Sequence, residues 1–170
     1  MNDGLNFKLD NKAGEILREW WVGLENNKGD RAALQRCGEP LDAAFVPAYH
    51  WLFYKLSEQF SAEKGRKLRE RILCVAPLVA AVKWQGGQDS GSGKSLPVQM
   101  ASPLKGRQSA VSDLRFRRLL QCQSRDDLFP HLRRVIRLLD KRVDIYHLAD
   151  DVYWWGDHRK RDWAHGYYQT

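Results

Sequence analysis

The chain has 170 residues, 43% of them apolar and 29% charged, with 28 Lys and Arg against 21 Asp and Glu for a net charge of +7. That length suits one domain or two small helical lobes with a buried core. No apolar run nears the roughly 20 residues that span a bilayer, and MNDGLNFKLDNKAGEIL lacks the build of a signal peptide, so a cytoplasmic protein without membrane attachment is expected.

A first helix is predicted from Asn11 to about Glu25, because Ile16, Leu17, Trp20, Trp21 and Leu24 fall at helical spacing. Asn26, Asn27 and Gly29 break it. A short helix follows over DRAALQRC, with Asp30 as N-cap and Gly38 as stop. Pro47 suits the first position of a helix within LDAAFVPAYHWLFYKLSEQF. Ser61 then caps a longer helix whose Leu68, Ile72, Val75, Ala76, Val79 and Val82 form one apolar stripe. Pro77 lies inside that stripe and is expected to kink the helix or end it early.

Residues 85–109, QGGQDSGSGKSLPVQMASPLKGRQS, lose all periodicity and read as a long flexible Gly/Ser-rich loop. The loop separates an N-terminal lobe, 1–84, from a C-terminal lobe, 110–170. Its GSGKS is not a phosphate-binding loop: Gln88 stands where the first glycine belongs, and Pro97 should block the helix that would present amides to phosphate. Four helices are predicted beyond it: SDLRFRRLLQCQ, SRDDLFPHLRRVIRLLDK, DIYHLADDVYWWG and DHRKRDWAHGYY. Ser124 with Asp127 resembles a capping box, Asp144 is a good N-cap and Gly156 a good stop. With no period-two alternation, the fold class expected is all-α, a helical bundle in two small lobes.

Charge is uneven along the chain. Residues 1–104 carry 14 basic and 12 acidic side chains, whereas residues 105–170 carry 14 and 9. In SRDDLFPHLRRVIRLLDK the residues Leu128, Leu132, Val135, Ile136 and Leu139 take one side, and Arg133, Arg134, Arg137 and Lys141 the other. In SDLRFRRLLQCQ, Phe116, Leu119 and Leu120 face one way, Arg117 and Arg118 point away, and Arg115 lies at the edge. Arginine faces of this kind fit nucleic-acid phosphates, which guanidinium binds bidentately. Trp155, Trp163 and Tyr167 fit core packing better than base stacking. The widely spaced Cys37, Cys74 and Cys122 suggest buried, reduced thiols, and no zinc spacing exists. His147, Asp150, Asp151, Asp157 and His158 could suggest a metal-dependent hydrolase, but the adjacent pair is Asp–His in reverse order, and capping and surface roles explain them. No catalytic residue, metal ligand or cofactor is expected.

Three segments resemble the CasB family, the small subunit of the type I-E CRISPR surveillance complex Cascade. They are ILREWWVGL with RAALQRCGEPLDA, then RFRRLLQCQSRDDLFPHLRRVIRLL, and finally LADDVYWWGDHRKRDWAHGYY. The resemblance implies a two-lobed helical protein without catalytic activity, usually present as two copies. Its implied partners are the CasC backbone subunits, the large subunit CasA, CRISPR RNA and both strands of the target DNA, with the R-loop stabilised by contacts that read no bases. Carried onto this chain, the implied phosphate contacts are Arg31, Arg36, Arg115, Arg118, Arg134, Arg137 and Arg142, with Lys94 and Arg107 from the loop. Gln35 stands where the family usually has arginine. Other readings are a stand-alone helical DNA-binding regulator, a metal-dependent nuclease using His147, Asp151 and His158, and an adaptor whose basic faces meet acidic proteins.

Overall fold

The computed structural model describes residues 5–60, 65–83 and 93–169. Among them the structure is all-α, without strands: α1 Lys12–Gly23, α2 Lys28–Gln35, α3 Pro47–Gln59, α4 Gly65–Ala80, α5 Leu96–Ala101, α6 Asp113–Leu120, α7 Arg125–Leu138, α8 Ile145–Tyr153 and α9 Asp157–Tyr168. Short 3-10 turns, Leu24–Asn26 and Pro40–Phe45, lie between α1 and α2 and between α2 and α3.

Side-chain caps fix several helix starts. Asn11 Oδ1 accepts from Gly14 N at 2.9 Å, and Asp144 Oδ1 accepts from Tyr146 N at 2.9 Å and His147 N at 3.0 Å. Ser124 Oγ accepts from Asp127 N at 3.1 Å, the N-cap that the sequence suggests. Ser124→Ala should therefore cost about 1 kcal/mol, measured as a lower urea midpoint with unchanged slope.

One expected helix start and one expected stop fall elsewhere. Asp30 lies inside α2, and its carboxylate accepts instead from Ala48 N at 2.8 Å, capping the first turn of α3 behind Pro47. Gly156 precedes α9 as its N-cap residue, whereas α8 has already ended at Tyr153. The proposed cap Ser61 lies outside the described residues.

Helix α4 is the centre of the molecule, packing on α2, α3, α7, α8 and the Pro40–Phe45 turn. Its predicted stripe from Leu68 to Val82 is buried throughout, and the helix runs on through Pro77 to Ala80. Residues from Leu5 to Val82 and from Leu96 to Tyr167 contribute to one continuous core. The N-terminal segment closes over α8: Phe7 N donates to Asp150 Oδ1 at 3.0 Å, and Leu5 O accepts the Trp154 indole N–H at 2.9 Å. Four more indoles are tied to acceptors, Trp20 to Ala48 O, Trp21 to Val82 O, Trp155 to Cys122 O and Trp163 to Asp151 Oδ2. Buried tryptophan thus serves both packing and polar anchoring. Trp155, Trp163 and Tyr167 belong to this core, and Phe116 stacks on Tyr167 with centroids 4.0 Å apart. All three cysteines are buried free thiols, and burial pushes Cys74 up to about 12.

Residues 85–109 are not one loop. Leu96–Ala101 form α5, with Leu96 and Met100 buried, and Leu104 pairs with Arg107 across a tight turn. Pro97 does not block α5. It occupies the first turn, where its missing N–H would have had no helical partner. Helix α5 lies on α9 at Gly166, where a Cβ would come within 2.8 Å of the Pro97 ring.

Candidate nucleic-acid interface

The basic residues divide by what their side chains touch. Three arginines are bound to the C-terminal carbonyls of helices, where the backbone dipole favours a cation. Arg125 donates to Val152 O at 2.9 Å and Tyr153 O at 2.6 Å, closing α8. Arg133 donates to Gln35 O at 3.1 Å, closing α2 against α7. Arg107 donates to Leu138 O at 3.3 Å, closing α7. Arg107 is therefore held against the fold. Arg133, expected on the arginine face of α7, is half-buried in the α2–α7 joint.

Arg134, Arg137 and Lys141 are exposed and form no ion pair among the described residues. Arg134 and Arg137 sit at i and i+3 on one face of α7, and Lys141 follows in the turn just past its end. The far end of this group meets α2. There Lys28, Arg31, Lys83, Arg137 and Lys141 line an open cleft of about 580 Å³, with Ala32, Gln35 and Asp140. Arg31 is ion-paired to Glu25 at 2.5 Å, and Asp140 to Lys105 at 2.6 Å, so each acid already has a cation. Lys28, Lys83, Arg137 and Lys141 keep their charge without a partner among the described residues.

Backbone structure fixes this convergence. Asp140 and Lys141 turn the chain sharply after α7 with φ of 57° and 61°, and Lys141 N donates to Ile136 O at 2.8 Å. Lys141 O then accepts from Lys83 N at 2.9 Å, which brings the end of the α4 segment against the end of α7. Gln35 donates from its amide to Ala80 O at 2.9 Å. It ties α2 to α4 beneath the cleft, while its own carbonyl takes Arg133.

The other expected contacts are dispersed. Arg36 is exposed just past α2, and Arg142 is exposed one residue beyond the cleft, its carbonyl accepting from Gln99. Lys94 is exposed near the start of α5. Arg115 and Arg118 are exposed on α6, but the face is not free of acids. Arg117 pairs with Asp113 at 3.0 Å, and Arg118 lines a shallow cleft with Asp126, Asp127 and His131. The site thus joins Arg31 and Arg137 and leaves Arg115 and Arg118 apart. Lys28 and Lys83 are the contributors with no local signature. They are isolated lysines in sequence, and only the α4–α7 hydrogen bond and the packing of α2 bring them into place.

The histidine–aspartate cluster has other work. Asp151 accepts from Trp163 and Arg159, Asp150 accepts from Arg159 and Phe7, and His158 lies 3.5 Å from Asp162. No group of three His, Cys, Asp or Glu that could hold a metal exists among the described residues. No helix among them is long and apolar enough to cross a membrane.

The family model described as CRISPR-associated protein Cse2 matches residues 30–168. No curated protein and no solved structure gives a significant match. Cse2 proteins are the non-catalytic small subunit of Cascade in type I-E CRISPR defence. The matched span runs from within α2 to the end of α9 and includes every residue of the basic cleft except Lys28, and the chain belongs to the Cse2 family.

Proposed function

We propose that this Cascade small subunit holds nucleic-acid backbone along Arg134, Arg137 and Lys141 and in the cleft completed by Lys28, Arg31 and Lys83. The observation carrying this reading is the convergence of five cations from three separated chain segments, with the accompanying acids already paired. A surface of that kind attracts phosphates at any base sequence, because nothing in it is shaped for base edges. Arg36 and Arg142 extend the surface at its margins. Arg115, Arg118 and Lys94 are secondary contacts. Arg107 is left out, because its guanidinium closes α7.

In the assembled complex, guide pairing reads sequence and this surface supplies backbone contacts that favour the open R-loop. The polyanions are CRISPR RNA and the target and displaced DNA strands. Two copies, beside CasC and CasA, would lengthen the basic track. Neighbours that hold the subunit beside its ligand raise the effective concentration, so the isolated chain need bind only weakly.

The test titrates the full chain into fluorescent single-stranded DNA of scrambled sequence, with magnesium, over a series of salt concentrations. Binding should fall linearly in log–log form with salt, be indifferent to sequence and leave the DNA intact on a denaturing gel. Strong sequence preference, or no binding at low salt, would overturn the reading.

A further inference from the structure

A second cleft, of about 520 Å³, lies on the other side of α2 and has the opposite character. Its apolar walls are Trp20, Leu24, Pro47, Ala48 and Trp51, and Glu19 and Asp30 stand among them. Helix α2 separates the two sites. Lys28 and Arg31 line the basic cleft, while Asp30, on the far face of the same helix, lines this one.

Four features favour a cation here. Glu19 is exposed and has no ion pair among the described residues. Asp30 gives only one oxygen to Ala48 N. Helix α1 ends at the cleft with Gly23, where Leu24 N donates to its last carbonyls and no basic residue in the last turn offsets the negative end of the helix dipole. Trp51 is 41% exposed and already takes Lys55 Nζ at 5.7 Å from its ring centroid, which puts its π-system in use by a cation. Tyr54, 64% exposed, follows Trp51 by three residues on the same face of α3 and carries the aromatic surface outward.

We infer that this cleft is a docking site for an arginine side chain presented by a neighbouring protein subunit. A guanidinium satisfies the site better than an ammonium, since it can lie flat on indole while donating in its plane to the carboxylates. Polyanions are repelled by the same two acids. The subunit thus offers phosphate-binding and protein-binding clefts on opposite faces of one short helix.

The test uses the assembled complex. Glu19→Lys reverses the charge, and Gly23→Leu fills the space. Gly23 has φ −61°, and a Cβ there meets nothing within 4 Å, so leucine fits the fold. Each variant should lower retention of the subunit by about tenfold, the loss typical of one good charge pair. Helix content and single-stranded DNA binding of the isolated variants should match the parent, which separates this result from failure of the phosphate-binding reading. A benzophenone side chain in place of Tyr54 should crosslink, on illumination of the complex, to an arginine-bearing peptide of a protein subunit. Unchanged retention of both variants would overturn the inference, as would crosslinking to RNA, to DNA or to a segment without basic residues.

Discussion

Replacing Arg137 with Ala and Lys141 with Asn together is expected to weaken single-stranded DNA binding by about a hundredfold at low salt. A charge-assisted phosphate contact contributes on the order of 1.5 kcal/mol, hence about tenfold for each cation removed. The salt dependence should flatten as well, its slope falling by roughly 1.4, or 0.7 for each lost contact to a single strand. Asn is chosen at 141 because φ there is 61°, a conformation it adopts more readily than Ala. Ala suits Arg137 inside α7. Neither side chain is buried, so unfolding midpoints should hold. Arg107→Ala should behave in the opposite way, lowering stability through the uncapped end of α7 while leaving the slope almost unchanged. Arg115→Ala with Arg118→Ala should have the smaller effect on DNA. A double variant at 137 and 141 that binds like the parent at every salt concentration would remove the α2–α7 cleft from consideration.

These contrasts also define what could be read from the chain before its structure. The buried face of α7 was legible, because Leu128, Leu132, Val135, Ile136 and Leu139 follow a period that only a helix packed on one side produces. The same period placed Arg134 and Arg137 outside correctly. It could not distinguish Arg133, because a helix wheel gives direction but not neighbours, and the carbonyl that Arg133 meets belongs to Gln35, 98 residues away. Arg107 is a similar case: its partner Leu138 lies 31 residues on. Helix α5 was hidden for another reason. Six residues are too few to establish a period, and burial of Leu96 and Met100 comes from packing on α9 rather than from a pattern of their own. The resemblance to the family supplied the biological setting, whereas convergence of Lys28, Lys83 and Lys141 required tertiary contacts.

Loss of the acceptor at Asp151 is expected to cost far more stability than loss of its charge. Asp151 is 7% exposed, with Oδ2 taking the Trp163 indole N–H at 2.9 Å and Oδ1 facing Arg159 Nη1 at 3.2 Å. Arg159 Nη2 also binds Asp150 at 2.7 Å, and Asp150 in turn accepts Phe7 N, so the cluster joins the N-terminal segment, α8 and α9. Asp151→Ala leaves a buried indole N–H without an acceptor and Arg159 with one carboxylate fewer, a loss of about 3 kcal/mol. Asp151→Asn retains an oxygen for Trp163 and should cost much less at neutral pH. The pH dependence follows from burial, which pushes the Asp151 carboxyl up from 3.8 to about 6 against the opposing pull of Trp163, Arg159 and His147, with Asp150 adding to the rise. Because the folded chain keeps this proton where the unfolded chain has released it, the contribution is complete below the unfolded value and vanishes as pH rises through the folded one. Urea unfolding of the parent and Asp151→Asn should thus show the parent's relative stability dropping by about 3 kcal/mol between acid and neutral pH. A difference that stays level across that range would mean that the carboxyl titrates as it does in the unfolded chain, the hydrogen bonds of Trp163 and Arg159 offsetting its burial.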